Sequence, residues 1–141
     1  MRTTPSREPA VPALVGSPFT ALQNYEIERA VDAADRISGM AFSVYVGPSD
    51  GAPRAFAEKL HGQMADPDRS VLVLVDPTMR QLEIVTGSIV RRTLDNRQAA
   101  LAAASMQAAF TTGDLFRGVV NGVQQLAEHA RPVESLHTDT P

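Results

Sequence analysis

Cysteine is absent from all 141 residues. That excludes disulfide frameworks, cysteine-ligated zinc, iron–sulfur clusters and thiol nucleophiles. Aromatic residues make up only 5%, and the formal charge is -3 with a pI near 5.5. The chain therefore has neither the stacking platforms nor the positive field that gathers nucleic acid, and no nucleic-acid partner is expected. Long hydrophobic runs are missing too: no stretch approaches the roughly 20 apolar residues that cross a bilayer. The opening residues, interrupted by Pro5, Glu8, Pro9 and Pro12, contain no apolar run of the kind a secretory signal needs. These absences together predict a cytoplasmic protein with no transmembrane segment.

What is present is ordinary globular chemistry, 43% hydrophobic and 21% charged, at the length of one domain able to bury a core without staples. Residues 1–17 are rich in proline and polar side chains, and residues from Pro132 onward carry no periodic apolar pattern. The expected organisation is a flexible tail over 1–17, one domain over 18–131 and a second flexible tail over 132–141.

Hydrophobic periodicity marks the elements between the tails. A first helix from about Ser17 or Thr20 places Ile27, Ala30, Val31, Ala34 and Ile37 on one face and stops at Ser38-Gly39. Phe42, Val44 and Val46 alternate as a strand that ends at Gly47-Pro48-Ser49-Asp50-Gly51. A second helix over about Pro53 to Ala65 turns Phe56, Ala57, Leu60 and Met64 inward, with proline in its first turn. Ser70 to Val75 is apolar on both faces, as a strand covered by helices on both sides must be. After the turn Asp76 to Arg80, Leu82, Ile84 and Thr86 form a further strand. The short link makes it an antiparallel neighbour, whereas the helical crossover makes the first two strands parallel. Two closing helices are predicted. One, near Asp95 to Phe110, turns Leu101, Ser105, Met106, Ala109 and Phe110 inward. The other, near Asp114 to Ala130, turns Phe116, Val119, Val120, Val123 and Leu126 inward. The predicted fold is a layered α/β/α sandwich with a small mixed sheet and about four helices.

Val71 to Asp76, Arg80, Glu83-Ile84-Val85-Thr86-Gly87, Leu94-Asp95, Phe110 with Gly113-Asp114, and Gly118 with Gly122-Val123 follow one another over roughly residues 20 to 130. This string resembles the TPM domain, a family with plant thylakoid, cyanobacterial and nematode members, and is similar in particular to an uncharacterised actinobacterial branch. The resemblance implies an α/β sandwich. It also implies a range of roles: acid-phosphatase activity, binding of calcium or another divalent metal, and assembly of protein complexes without catalysis. Where the family carries an acidic residue just before its first helix, this chain has Val15-Gly16-Ser17.

The carboxyl ends of parallel strands lie together and form the crevice where ligands settle in open α/β sheets. Asp76, Asp95 and Asp114 are accordingly the candidate oxygen ligands for Ca2+ or another divalent metal, with Arg80 and Arg92 as candidate guanidinium donors to a phosphate. Cap and turn preferences also account for each aspartate: Asp76 precedes proline in a turn, Asp95 stands three residues before Gln98, and Asp114 opens a helix. His61, His129 and His137 have no ligand spacing, and no serine lies in a nucleophile elbow. Gly118 and Gly122, one helical turn apart, mark a close approach, against the sheet or against a partner chain. Two functions follow. The first is a binding module for a ligand or protein partner without catalysis. The second is a divalent-metal-dependent phosphatase acting on phosphomonoesters.

Overall fold

A computed structural model describes residues 18–132; both predicted tails lie outside them, apart from Pro132. The described elements are α1 (Ala21–Ser38), β1 (Ala41–Val46), α2 (Pro53–Gly62), a 3-10 turn (Pro67–Arg69), β2 (Ser70–Asp76), β3 (Gln81–Thr86), a second 3-10 turn (Val90–Arg92), α3 (Asn96–Thr112) and α4 (Leu115–Ala130). The strand order is β1-β2-β3, with β1 parallel to β2 and β3 antiparallel to it. This is the mixed α/β architecture that the periodicities predict.

Every residue of β2 is buried, and its two faces serve two cores. Val71, Val73 and Val75 enter the larger one with Ile27, Ala34, Met106, Val119, Val123 and Leu126, beneath α1, α3 and α4. Leu72 and Leu74 enter the smaller one with Ala57 and Val85, roofed by Tyr45, Phe56, Leu60 and Met64. Each fully buried valine or leucine contributes roughly 1.5–3 kcal/mol, so the central strand holds both helical layers.

The helix ends follow local chemistry. Thr20 caps α1, its hydroxyl accepting from the Gln23 N–H while the Gln23 side chain accepts from the Thr20 N–H, a reciprocal box that satisfies two orphan donors. Gly39 and Gly113 close α1 and α3 in left-handed conformation, at φ 76 and 85, which a residue with a Cβ adopts at a cost.

Two predicted inward faces need correction. In α3 the buried stripe is Ala99, Ala102, Met106 and Ala109, while Leu101 is 57% exposed and Ser105 is exposed. The cause lies in α4. A Cβ on Gly118 would come within 2.5 Å of the Ala109 Cβ, and one on Gly122 within 2.2 Å of the Met106 sulfur. The glycines thus draw α4 against α3, not against the sheet, and the face they receive carries Met106 and Ala109 and leaves Leu101 outside it. In α1, Ile37 is 40% exposed and Ser38 is buried in its place. The Ser38 hydroxyl donates to the Ala34 carbonyl and accepts from the Met40 N–H, so the helix terminus is stitched internally.

Gly87 marks the tightest backbone approach. A Cβ there would sit 2.0 Å from the Pro67 carbonyl oxygen and 2.4 Å from that of Asp68, whereas nothing lies within 4 Å of a Cβ on Gly62. Gly87→Ala should therefore destabilise the fold by about 2 kcal/mol or more, as overpacking against backbone does. Gly62→Ala should be neutral or stabilising by up to about 1 kcal/mol. Urea unfolding of the two variants beside the parent chain checks the contrast.

Candidate docking groove and the predicted aspartates

Asp76 ends β2 with its side chain fully buried. One carboxylate oxygen accepts from the Ser49 N–H at 3.0 Å and the Ser49 hydroxyl at 2.7 Å, and the other accepts from the Met79 N–H at 3.1 Å. An ionised carboxylate offers about four lone-pair sites, and the bonds from Ser49 and Met79 take up three of them. Burial by itself pushes the Asp76 pKa up, but the Ser49 hydroxyl and the N–H groups of Met79, Ser49 and Thr78 together outweigh it and hold the pKa below the ordinary carboxylate value. The residue ties the β1–α2 loop to the β2–β3 turn. Asp35 moves the other way: burial raises its pKa, and the Phe42 N–H it accepts at 2.7 Å offsets only part of that rise.

The other two predicted metal ligands are helix caps. Asp95 accepts from the Gln98 N–H at 2.8 Å, and the Gln98 side chain returns a bond to the Asp95 N–H at 3.0 Å. Asp114 accepts from the Arg117 N–H at 3.3 Å and pairs with the Arg117 guanidinium at 3.4 Å. The 17 residues of α3 separate these two caps by about 25 Å at 1.5 Å per residue. The structure therefore does not bring Asp76, Asp95 and Asp114 together, and among the described residues no three His, Asp or Glu side chains form a metal-holding group.

Arg80, the first predicted phosphate donor, is a strap. It has a positive φ of 53, its guanidinium donates to the Phe110 carbonyl at 2.8 Å and lies over the Phe110 ring, and its own carbonyl accepts from Gln107 at 2.6 Å. Arg92 lies exposed in the second 3-10 turn, apart from Arg80. His61 is buried and bonds through Nε2 to the Ser70 carbonyl at 3.0 Å. Since a carbonyl only accepts, that nitrogen carries the proton.

The concave feature that periodicity did not reveal is a groove of about 690 Å³ along the free edge of β3. Leu82 to Thr86 form its floor, Ala99, Ala100, Ala103 and Ala104 of α3 one wall, and Arg54 and Glu58 of α2 the other. The Gly87 N–H donates to the Ser70 carbonyl, and bonded pairs alternate along an antiparallel ladder. Gln81, Glu83 and Val85 thus bond to β2, while the peptide groups of Leu82, Ile84 and Thr86 face outward. Arg54 donates to the Ile84 carbonyl at 2.8 Å, and Arg91 donates to that of Thr86. Arg54 also pairs with Glu58 at 3.1 Å and Glu83 at 3.3 Å, whereas Arg91 has no acidic partner among the described residues. Arg54 had no local signal as a site residue: its partners at the edge lie about 30 positions away.

Residues 3–127 match the family described as "Domain of unknown function (DUF5130)". The chain belongs to this family. Relatives of 28% identity include the uncharacterized protein Rv2468c of Mycobacterium tuberculosis strain H37Rv and the uncharacterized protein MT2543 of strain CDC 1551; each match spans 115 residues, 82% of this chain and 69% of the relative. Two solution structures share the fold. The protein BA42 of the psychrophilic bacterium Bizionia argentinensis has a TM-score of 0.67 at 15% identity, over 79% of this chain and 81% of its own. The N-terminal domain of a P. gingivalis protein has a TM-score of 0.68 at 18% identity, over 79% and 75%.

The Asp76 bonds make a pH-dependent prediction. Because the folded-state pKa lies below the unfolded value of about 3.9, the carboxylate's contribution is complete above that value and is lost as pH falls through the folded one. Asp76→Asn should lose about 2–3 kcal/mol at neutral pH, the scale of bonds to a charged acceptor, and the gap to the parent chain should narrow below about pH 4. Urea unfolding of both chains at neutral and acid pH measures it.

Proposed function

We propose that this chain is a TPM-like binding module that acts by docking a partner protein segment in the groove beside β3, without catalysis. The observation that carries the reading is the composition of the groove: small apolar side chains on one wall, charged side chains on the other, and outward peptide groups on the floor. That is the make-up of a recognition surface. The motif string from Val71 to Val123 supports the TPM assignment, and the layered fold with its two solved counterparts is compatible with it. Against the phosphatase reading, the oxygens it requires of Asp76, Asp95 and Asp114 are engaged in separate caps and turns.

Panning the folded chain against a displayed peptide library tests the proposal. Ligands recovered should shift the amide signals of β3 and of the alanine face of α3. Ala104→Arg, which places a long charged side chain in the groove, should weaken them by about tenfold or more. Ligands that map elsewhere would count against the groove. Hydrolysis of p-nitrophenyl phosphate with calcium or manganese, lost on Asp114→Asn, would replace the docking reading with the phosphatase.

A further inference from the structure

The loop between β1 and α2 contains Asp50-Gly51, the one place in the chain where glycine follows an aspartate. Both residues are exposed, and Gly51 has a φ of 92 with nothing within 4 Å of where a Cβ would stand. Among the described residues no group accepts from the Gly51 N–H, and none bonds to the Asp50 carboxyl. The other described aspartates are placed differently. Asp66 and Asp76 precede proline, whose nitrogen has no hydrogen. The N–H after Asp68 donates to the Asp66 carbonyl, Asp32 and Asp35 lie within α1, and Asp95 and Asp114 cap helices with larger residues after them. The one Asn-Gly pair, Asn121-Gly122, stands inside α4 with Gly122 buried, where its N–H belongs to the helical ladder.

We propose that Asp50-Gly51 is a site of spontaneous covalent modification, at which aspartate becomes isoaspartate and Ser49 is released from Asp76. The Gly51 nitrogen attacks Asp50 Cγ; its proton and the carboxyl hydroxyl leave together as water, and a five-membered succinimide closes. Water then adds back to the ring. Addition at Cγ breaks the new C–N bond and restores Asp50. Addition at the main-chain carbonyl breaks the original peptide bond and leaves the chain running through Cβ and Cγ. Water is the only co-reactant, and the product has the mass of the starting chain. Isoaspartate lengthens the main chain by one carbon–carbon bond, about 1.5 Å. That length enters a link fixed at both ends. On one side Asp76 holds Ser49 by its N–H and hydroxyl. On the other, the Ala52 carbonyl accepts from the Phe56 N–H, and α2 is anchored by the fully buried Ala57. Two hydrogen bonds in a loop open more readily than a packed helix shifts, so the Ser49 end gives way.

Incubating the folded chain for several weeks at physiological temperature and pH, in water enriched in heavy oxygen, tests the proposal. Trypsin then releases peptide 37–54, in which Asp50 is the single acidic residue. A second form of this peptide should accumulate, labelled with heavy oxygen and resistant to a protease that cuts before aspartate. Peptide 118–131 from the same samples should stay unchanged, although Asn-Gly is the faster pair in a free peptide. Asp50→Glu, which would need a six-membered ring and loses no described contact, should give no second form. In the isomerised chain, separated by chromatography, the Ser49 amide should exchange about tenfold faster or more, as loss of a bond to a charged acceptor allows, while the Ala57 amide keeps its rate. A peptide 37–54 that stays single in the folded chain while the same free peptide converts would overturn the modification site. So would a second form that persists in Asp50→Glu. Conversion of Asn121 in the folded chain as fast as in free peptide 118–131 would remove the structural selection of Asp50. Isoaspartate with unchanged Ser49 exchange would overturn the release of the clasp.

Discussion

Everything in this fold is arranged around the need to cover β2 on both faces. A strand whose side chains are all apolar or internally bonded has no side to give to water, so it requires a helical layer above and another below. The helical crossover from β1 to β2 places α2 on one face, and α1, α3 and α4 fill the other. Among the described residues the sheet has three strands, so β1 and β3 are its two edges there, and each edge is handled differently. At β1, the Asp35 carboxylate of α1 accepts from the N–H of Phe42, the second residue of the strand. At β3, arginines from two separate elements cover the outward carbonyls, a common way to blunt an edge that could otherwise pair with another chain.

What could be read from the sequence was whatever a single element decides for itself. The run from Ser70 to Asp76 announces a doubly covered strand because its composition leaves no polar face. The short turn after it permits only a hairpin. Asp95 and Gln98 announce a capping box from their spacing alone, and Asp114 its helix start. The orientation of α3 was not legible in the same way. Leu101 looks inward by hydrophobicity, but the face that α3 buries is chosen by Gly118 and Gly122 on the next helix, which receive Ala109 and Met106. Periodicity within one helix carries no information about the width of the gap that its neighbour leaves.

The same boundary divides the site. Asp76 stands out in the sequence as an acidic residue closing an apolar strand, and the structure does give it a special role. Which role is decided by Ser49, 27 positions earlier, whose hydroxyl and N–H turn the carboxylate into a clasp between loops. Grouping Asp95 and Asp114 with it assumed that acidic residues near element ends share one end of the molecule. A helix of this length carries its two caps to opposite ends. The groove was hidden for a related reason: Arg54, Glu83 and Arg91 belong to three different elements, and their proximity exists only once β3 lies between α2 and α3.

The clasp at Asp76 also fixes how this end of the molecule can move. Ser49 is tied through Asp76 to Met79, and the adjoining Arg80 is tied to Gln107 and Phe110 near the end of α3. The loop after β1, the hairpin turn and the last turns of α3 are thereby geared together like links of a short chain. A disturbance at Ser49 reaches the α3 terminus through Asp76, the Met79–Arg80 peptide link and the Arg80 bonds, without passing through either hydrophobic core.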